Sequence, residues 1–138
     1  MKKTGQQIED DIFGMVRTSP LASFVNGTTY KFGTRPRGSV KEDIVVKFVT
    51  GLDGQIQDGV VVVNIFVPDI DSSTAGYFVR NISRCKQIEM EANIWAATLT
   101  AAKSNYKFSL SQMIYTQEEP EIKQHFITVR LKFQLTTF

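Results

Sequence analysis

The chain has 138 residues, of which 42% are hydrophobic and 22% are charged, and its net charge is +2. This composition is that of an ordinary globular protein and excludes a disordered, highly charged chain. The small net charge does not by itself indicate a nucleic-acid or membrane partner. One cysteine excludes an intramolecular disulfide, and one His with one Cys excludes a usual structural zinc site.

The first predicted element is a short helix over Thr4–Val16. Thr4 and Gln7 have the spacing of a capping box, in which each side chain hydrogen-bonds the backbone of the other residue. Its apolar residues fall on one face: Ile8, Ile12, Met15 and Val16. Ser19-Pro20 is expected to end the helix, because the residue before a proline is disfavoured in helical conformation.

Three strands are predicted next, at Thr28–Phe32, Asp43–Thr50 and Gly59–Val67. A basic loop, Gly33–Ser39, follows the first strand, and a turn at Gly51–Gln55 joins the other two. The third strand holds a run of four valines, which is apolar on both faces. We therefore expect this strand to lie centrally and to be covered on both sides. Ile70–Phe78 is predicted to be a loop.

The segment Val79–Lys103 is predicted to form the one long helix. One apolar row steps by three and four residues: Ile82, Cys85, Ile88, Ala92, Trp95, Leu99 and Ala102. A second row is expected to adjoin it: Met90, Ile94, Ala97 and Ala101. Such a wide apolar face predicts that the helix is covered over much of its circumference. Asn81 or the run Asp71–Thr74 is expected to cap its start, and Lys103–Asn105 its end.

Two strands are predicted after the long helix. Tyr106–Leu110 begins the first, and the alternation slips towards Tyr115, which indicates a bulge near Ser111-Gln112. A turn is placed at Gln117–Pro120. From Gln124 to Leu135 polar and apolar residues alternate, which is typical of a strand with one buried face. We expect Phe126, which interrupts the polar side, to be an exposed contact.

This order predicts a single α+β domain over residues 1–138, in which an antiparallel sheet packs against the long helix. No run of apolar residues is long enough to cross a membrane.

Candidate catalytic groups are sparse. His125 is the one imidazole, and its place on the apolar side of the last strand favours a packing role over a catalytic one. Asp69 and Asp71 lack the regular spacing of a calcium loop. The sequence therefore assigns no catalytic, cofactor-binding or metal-binding residue and predicts a protein that is not an enzyme.

The most suggestive cluster is Arg35, Arg37 and Lys41 in the basic loop. Cations on a loop can contact phosphates, or they can pair with acids at a subunit contact. Strand aromatics could stack on single-stranded nucleic acid, although core packing accounts for most of them. These aromatics are Tyr30, Phe32, Phe48, Phe66, Phe126 and Phe133.

The order of elements resembles that of the small tail-completion and tail-terminator proteins of long-tailed bacteriophages and prophages. The stretches that carry the resemblance are SPLASFVNGTTYKFG (19–33), DIVVKFVTG (43–51), DGVVVVNIFVPD (58–69) and HFITVRLKFQLTTF (125–138), with the long helix between the last two. The resemblance implies an α+β structural protein that forms rings, commonly hexamers, at the head-proximal end of the tail.

Further expectations follow from that resemblance. The partners would be further copies of the chain and tail-tube or head–tail connector proteins, with non-specific DNA contact in the ring lumen. Arg35, Arg37 and Lys41 would suit a lumen or subunit contact. The chain would occupy the bacterial host cytoplasm during assembly and the virion tail afterwards. Two other functions stay open. One is a small nucleic-acid-binding module using the basic loop and strand aromatics. The other is an enzyme or small-ligand domain with a polar pocket around His125 or around Asp69 and Asp71.

Overall fold

The structure is a computed structural model that describes residues 2–72, 76–102 and 104–136. The helices of this part of the chain are α1 (Gly5–Arg17), α2 (Pro20–Phe24) and α3 (Ile82–Ala101), with one 3-10 turn (Pro120–Ile122). Its strands are β1 (Thr29–Lys31), β2 (Ile44–Asp53), β3 (Ile56–Pro68), β4 (Ile70–Ser72), β5 (Tyr77–Val79), β6 (Tyr106–Leu110), β7 (Tyr115–Glu119) and β8 (Gln124–Thr136). The predicted α+β class is confirmed.

The described strands form a six-stranded sheet in the order β1-β2-β3-β8-β6, with β7 pairing β8 beyond the end of β6, and a separate two-stranded sheet of β4 and β5. The sheet is mixed and not purely antiparallel, because β1 runs parallel to β2. The connection from β1 to β2, residues 32–43, is long enough to return the chain to the same end of the sheet. All other pairings in the described sheet are antiparallel.

One face of the sheet carries the hydrophobic core. The odd-numbered residues of β3 and β8 point to α1 and α3, and Val61, Val63, Ile127, Val129 and Leu131 are all fully buried. Helix α1 adds Ile8, Ile12 and Val16 to the same cluster, and α3 adds Cys85, Ile88, Ala92 and Trp95. The alternation in the last strand predicted this arrangement, since successive side chains of a strand face opposite sides.

The second face of the sheet is not covered by a helix in the described chain, so the expectation of a doubly covered valine strand was wrong. β3 does lie centrally, between β2 and β8. Its even-numbered residues face this second side, where Val62 is buried and Val60, Asn64 and Phe66 are half-buried. We call this side the open face. Its end near Phe66 is covered by the loop that contains Arg35.

The predicted start signals of both main helices are confirmed. The Thr4 side chain accepts a hydrogen bond from the Gln7 amide, and the Gln7 side chain accepts one from the Thr4 amide. Asn81 caps α3 by accepting from the Arg84 amide at 3.2 Å. The other proposed cap residues Ser73 and Thr74, and Lys103 at the predicted helix end, lie outside the described residues.

The predicted wide coverage of α3 was wrong. Its buried residues are Cys85, Ile88, Ala92, Trp95 and Ala96. The second apolar row does not adjoin this face: a helix turns by about 100° per residue, which puts that row on the opposite side. Met90 is 59% and Ile94 is 58% exposed, and Ala97 and Ala101 are exposed as well. Ile82 of the first row is also exposed.

Three connections differ from the sequence-based expectation. Within the predicted loop Ile70–Phe78, the described residues form β4 and β5, which pair antiparallel as a short arm. The expected bulge at Ser111-Gln112 is a break between β6 and β7, which pair with different parts of β8. The expected turn at Gln117–Pro120 is mostly strand, and the chain turns instead at Pro120–Lys123, where Lys123 has a φ of 56°.

None of the helices in the described ranges has the length and hydropathy needed to cross a lipid bilayer.

Candidate interaction surfaces

The predicted basic cluster is divided by the structure. Arg35 lies half-buried, whereas Arg37 and Lys41 are exposed. The Nε of Arg35 lies 2.9 Å from Oδ2 of Asp43, and its Nη2 donates to Oε1 of Gln124 at 3.0 Å. The guanidinium therefore fastens the loop to the start of β2 and to β8. Arg37 and Lys41 remain exposed and can contact a partner.

Asp43 is the centre of this loop network. Its carboxylate is 1% exposed and accepts hydrogen bonds from the Ser39 hydroxyl, the Thr28 amide and Arg35. Burial acts to raise the pKa of Asp43, but these hydrogen bonds and the charge of Arg35 outweigh it and hold the pKa below the ordinary value. Asp43 therefore stays ionised inside the fold and keeps Arg35 in place.

A second ion pair joins the same loop to α3. Arg84 holds Glu42 with both sides of its guanidinium fork, through Nε at 2.7 Å and Nη2 at 2.8 Å. Nη2 also donates to the Phe24 carbonyl at 2.8 Å. The hydrogen bonds that Arg84 donates to Glu42 raise the pKa of Arg84 above its already high value, although burial acts in the opposite direction. No local pattern predicts this pair, because 42 positions separate its members.

His125 lies at the start of β8 beside Asp69, with 2.6 Å between Nδ1 and Oδ1. The two residues share a shallow surface pocket of about 450 Å³ with Glu118, Lys123 and Tyr77, among others. A carboxylate that holds one ring nitrogen orients an imidazole, and catalysis further requires a reacting group at the other nitrogen. The described lining of this pocket supplies no serine or cysteine for that role.

Cys85 is buried in the core, as its place on the inner row of α3 predicted. Burial raises the pKa of its thiol to about 11, so the reactive thiolate is scarce at neutral pH. In the residues that the structure describes, no three His, Cys, Asp or Glu side chains lie close enough together to hold a metal ion.

Three surfaces whose exposure the sequence did not predict are prominent. The first is the outer row of α3, which we call the outer stripe and define as Met90, Ile94, Ala97 and Ala101. The second is the open face of the sheet. A third apolar patch lies on the β4–β5 arm, where Ile70, Tyr77 and Phe78 are exposed. The spacing of the outer stripe was visible in the sequence, but the side of the helix that faces the sheet was not.

No protein-family model matches the chain, and no curated protein matches it.

Proposed function

We propose that this protein is a non-enzymatic structural subunit of a phage or prophage tail, of the tail-completion or tail-terminator kind. Copies of the chain form a ring at the head–tail joint and contact tail-tube or connector proteins there. The observation that carries the proposal is the outer stripe of α3, because it gives a globular chain a helix with apolar residues on two opposite sides.

The outer stripe has the spacing of a helix–helix contact. Its residues follow one another at steps of four, three and four, the pattern that keeps one seam of a helix facing a partner. Ala97 and Ala101 are small, so a partner backbone can approach the second half of the helix closely. Burying apolar surface contributes about 25 cal/mol per Å². The exposed Met90 and Ile94 side chains therefore supply a driving force for association.

The β4–β5 arm offers a second and different apolar patch. Tyr77 is 60% exposed, and Ile70 and Phe78 are exposed beside it. A chain that associates through two different surfaces binds head to tail, and such an assembly closes into a ring when the rotation between copies permits it. An association through one self-complementary patch would give a two-fold dimer instead. The two patches thus favour a ring over a dimer.

The order of elements supports the tail assignment. The short N-terminal helix, the β2–β3 hairpin, the long α3 and the final β8 follow one another in the order on which the resemblance to tail-completion proteins rests. The chain also offers short or interrupted outer strands in the described sheet, since β1 has 3 residues and β6 and β7 have 5 each. Short edges leave helix and loop surfaces, and not open strands, as the contacts between copies.

Size-exclusion chromatography with light scattering tests the proposal. We expect the wild-type chain to elute as an oligomer at high concentration and Ile94→Asp to shift it towards monomer, since the charge would be buried in the contact. Asn93→Asp is the matched control, because it adds the same charge at a neighbouring exposed position outside the outer stripe.

Electron microscopy of the oligomeric fraction then distinguishes the two kinds of assembly. Closed rings support the proposal. A strict monomer at the highest attainable concentration, a two-fold dimer, or an oligomer unaffected by Ile94→Asp would overturn it.

A further inference from the structure

The open face of the sheet carries a row of cations, which we call the cationic band. Its members are Lys47 on β2, Arg130 and Lys132 on β8, and Lys107 on β6. The strand register places them close together: Lys47 and Arg130 both lie opposite Val62, and Lys107 lies opposite Gln134. Neighbouring strands are about 4.8 Å apart, so the three steps from β2 to β6 span roughly 14 Å.

The charges of the cationic band are not neutralised inside the chain. None of its members forms an ion pair within residues 2–72, 76–102 and 104–136, whereas Lys3, Lys31, Arg35 and Arg84 do pair with carboxylates elsewhere. The described strands place two carboxylates on the open face against the four cations of the band: Asp58 opposite Gln134, and Glu119 opposite Gln124. The other acidic residues of the described chain lie in helices, turns and loops, in the small β4–β5 sheet, or at positions of β2 and β7 that face the opposite side of the sheet. Such segregation gives this side a positive potential that attracts an anionic partner.

Aromatic rings lie on the same face. Phe32 follows β1 and is 58% exposed, and the Lys47 Nζ lies 4.4 Å from its ring centroid. Tyr115 on β7 pairs with Thr128 and is 40% exposed. Between them lie Val62 and Thr128, which are buried, and Asn64, which is half-buried. Exposed rings beside unpaired cations are the combination that binds the bases and the backbone of one nucleic-acid strand together.

At the β6 end of the cationic band the surface forms a depression of about 550 Å³. Lys107, Lys132, Ser109 and Gln134 are among the residues that line it, and one carboxylate, that of Asp58, lines it as well. Two ammonium groups with a hydroxyl and an amide are donors suited to phosphate oxygens.

We propose that the open face binds single-stranded nucleic acid, with the cationic band on the phosphates and the Phe32 ring stacked on a base. This inference is independent of the proposed ring, which rests on the outer stripe of α3. A single strand fits the face better than a duplex, because paired bases are covered by their neighbours and leave Phe32 without a stacking partner. The contact is to backbone and ring faces, so it discriminates little between sequences.

Fluorescence anisotropy with a labelled single-stranded homopolymer, and with a duplex of equal length, tests the inference over a series of salt concentrations. Each neutralised phosphate of a single strand contributes about −0.7 to the slope of log affinity against log salt, so contacts from all members of the band give a slope of about −3. We expect the double variant Arg130→Gln/Lys132→Gln to reduce that slope to about −1.4. The matched control is Arg80→Gln/Lys86→Gln, which removes the same charge from exposed positions away from the open face.

A third variant, Phe32→Leu, keeps the apolar bulk and removes the ring. We expect it to weaken binding about fivefold or more, as loss of one stacked base does. Circular dichroism verifies that each variant is folded. The inference is overturned by any of four results: no binding at low salt, equal affinity for the duplex, a band variant that behaves like its control, or an equal loss when Arg37 and Lys41 are replaced instead. Light scattering measures the oligomeric state and anisotropy measures nucleic-acid binding, so each experiment can contradict its own proposal without affecting the other.

Discussion

Arg35 and Asp43 form an ion pair at the edge of the sheet, with the Nε of Arg35 2.9 Å from Oδ2 of Asp43. The side chain of Arg35 is 14% exposed, and its guanidinium carbon lies 4.2 Å from the centroid of the Phe66 ring. A planar guanidinium can stack on a ring and hold a carboxylate at the same time, which an ammonium cannot do as well. Arg35 therefore covers Phe66 at one end of the open face.

Replacing Arg35 by leucine is expected to lower the free energy of unfolding by about 3 kcal/mol, because the buried Asp43 carboxylate loses its countercharge. Arg37→Leu is the matched control in the same loop, where the side chain is exposed and has no ion-pair partner in the described chain. Its effect should stay within about 0.5 kcal/mol. Urea unfolding followed by circular dichroism measures both. Equal losses for the two variants would contradict a structural role specific to Arg35.

Stability should also depend on pH through Asp43. Its folded pKa lies below 3.8, the ordinary value. The ionised carboxylate therefore contributes stability that is fully present above the ordinary value and is lost as the pH falls through the folded pKa. In urea unfolding at a series of acidic pH values, Asp43→Asn should flatten this part of the curve relative to wild type. A variant curve parallel to that of the wild type over the same range would argue against Asp43 as the source.

Arg84→Lys tests the second ion pair. Lysine keeps the charge but cannot hold Glu42 through two nitrogens and reach the Phe24 carbonyl as well. We expect a loss of about 1–2 kcal/mol, the cost of one or two hydrogen bonds to a charged group. Arg80→Lys, at an exposed position just before α3, controls for the change of residue type and should be neutral. Thermal unfolding measures the stability of both variants, and equal stability of Arg84→Lys and Arg80→Lys would contradict a specific role of the Arg84 guanidinium.

Two glycines should respond in opposite directions to alanine. Gly14 lies inside α1, where an added Cβ meets nothing within 4 Å, so Gly14→Ala should stabilise the protein by about 0.5–1 kcal/mol. At Gly59 in β3 an added Cβ would lie 2.2 Å from the Thr50 carbonyl oxygen of the neighbouring strand. Backbone atoms of a paired strand cannot move aside, and Gly59→Ala should therefore be strongly destabilising. The denaturant midpoints of the two variants, compared with that of the wild type, test both expectations. A Gly59→Ala variant as stable as the wild type would show that β2 and β3 can separate locally.

The elements that local chemistry specifies could be predicted from the sequence. The capping box at Thr4 and the alternation in β8 depend on residues a few positions apart, and both are present. β7 could not be predicted, because Gln117 and Glu118 have low strand propensity. Pairing with Phe126 and His125 of β8 holds them as a strand.

The surfaces were harder to predict than the fold. The periodicity of α3 revealed both apolar rows, but which row meets the sheet depends on packing between distant segments. Arg35 was predicted with Arg37 and Lys41 as a surface contact, and the structure places it in the loop network. Its partner Gln124 is 89 positions away, so no local sequence pattern could predict the contact. The cationic band escaped notice for the same reason, since its members come from three strands.

Strand β8 pairs with β3 on one side and with β6 and β7 on the other. This arrangement affects how the sheet can form while the chain is being synthesised. A nascent chain emerging from the ribosome completes β3 long before β8 exists, and the two strands join residues as far apart as Ile56 and Thr136. Until β8 is made, one edge of β3 has no strand to pair with, and the valine run has a neighbouring strand on one side only. Contacts of such large sequence separation form slowly and expose aggregation-prone segments meanwhile. Holdase chaperones should accordingly bind the stretch around Val60–Val63 in ribosome-bound intermediates, and should release it once residues 124–136 have left the exit tunnel.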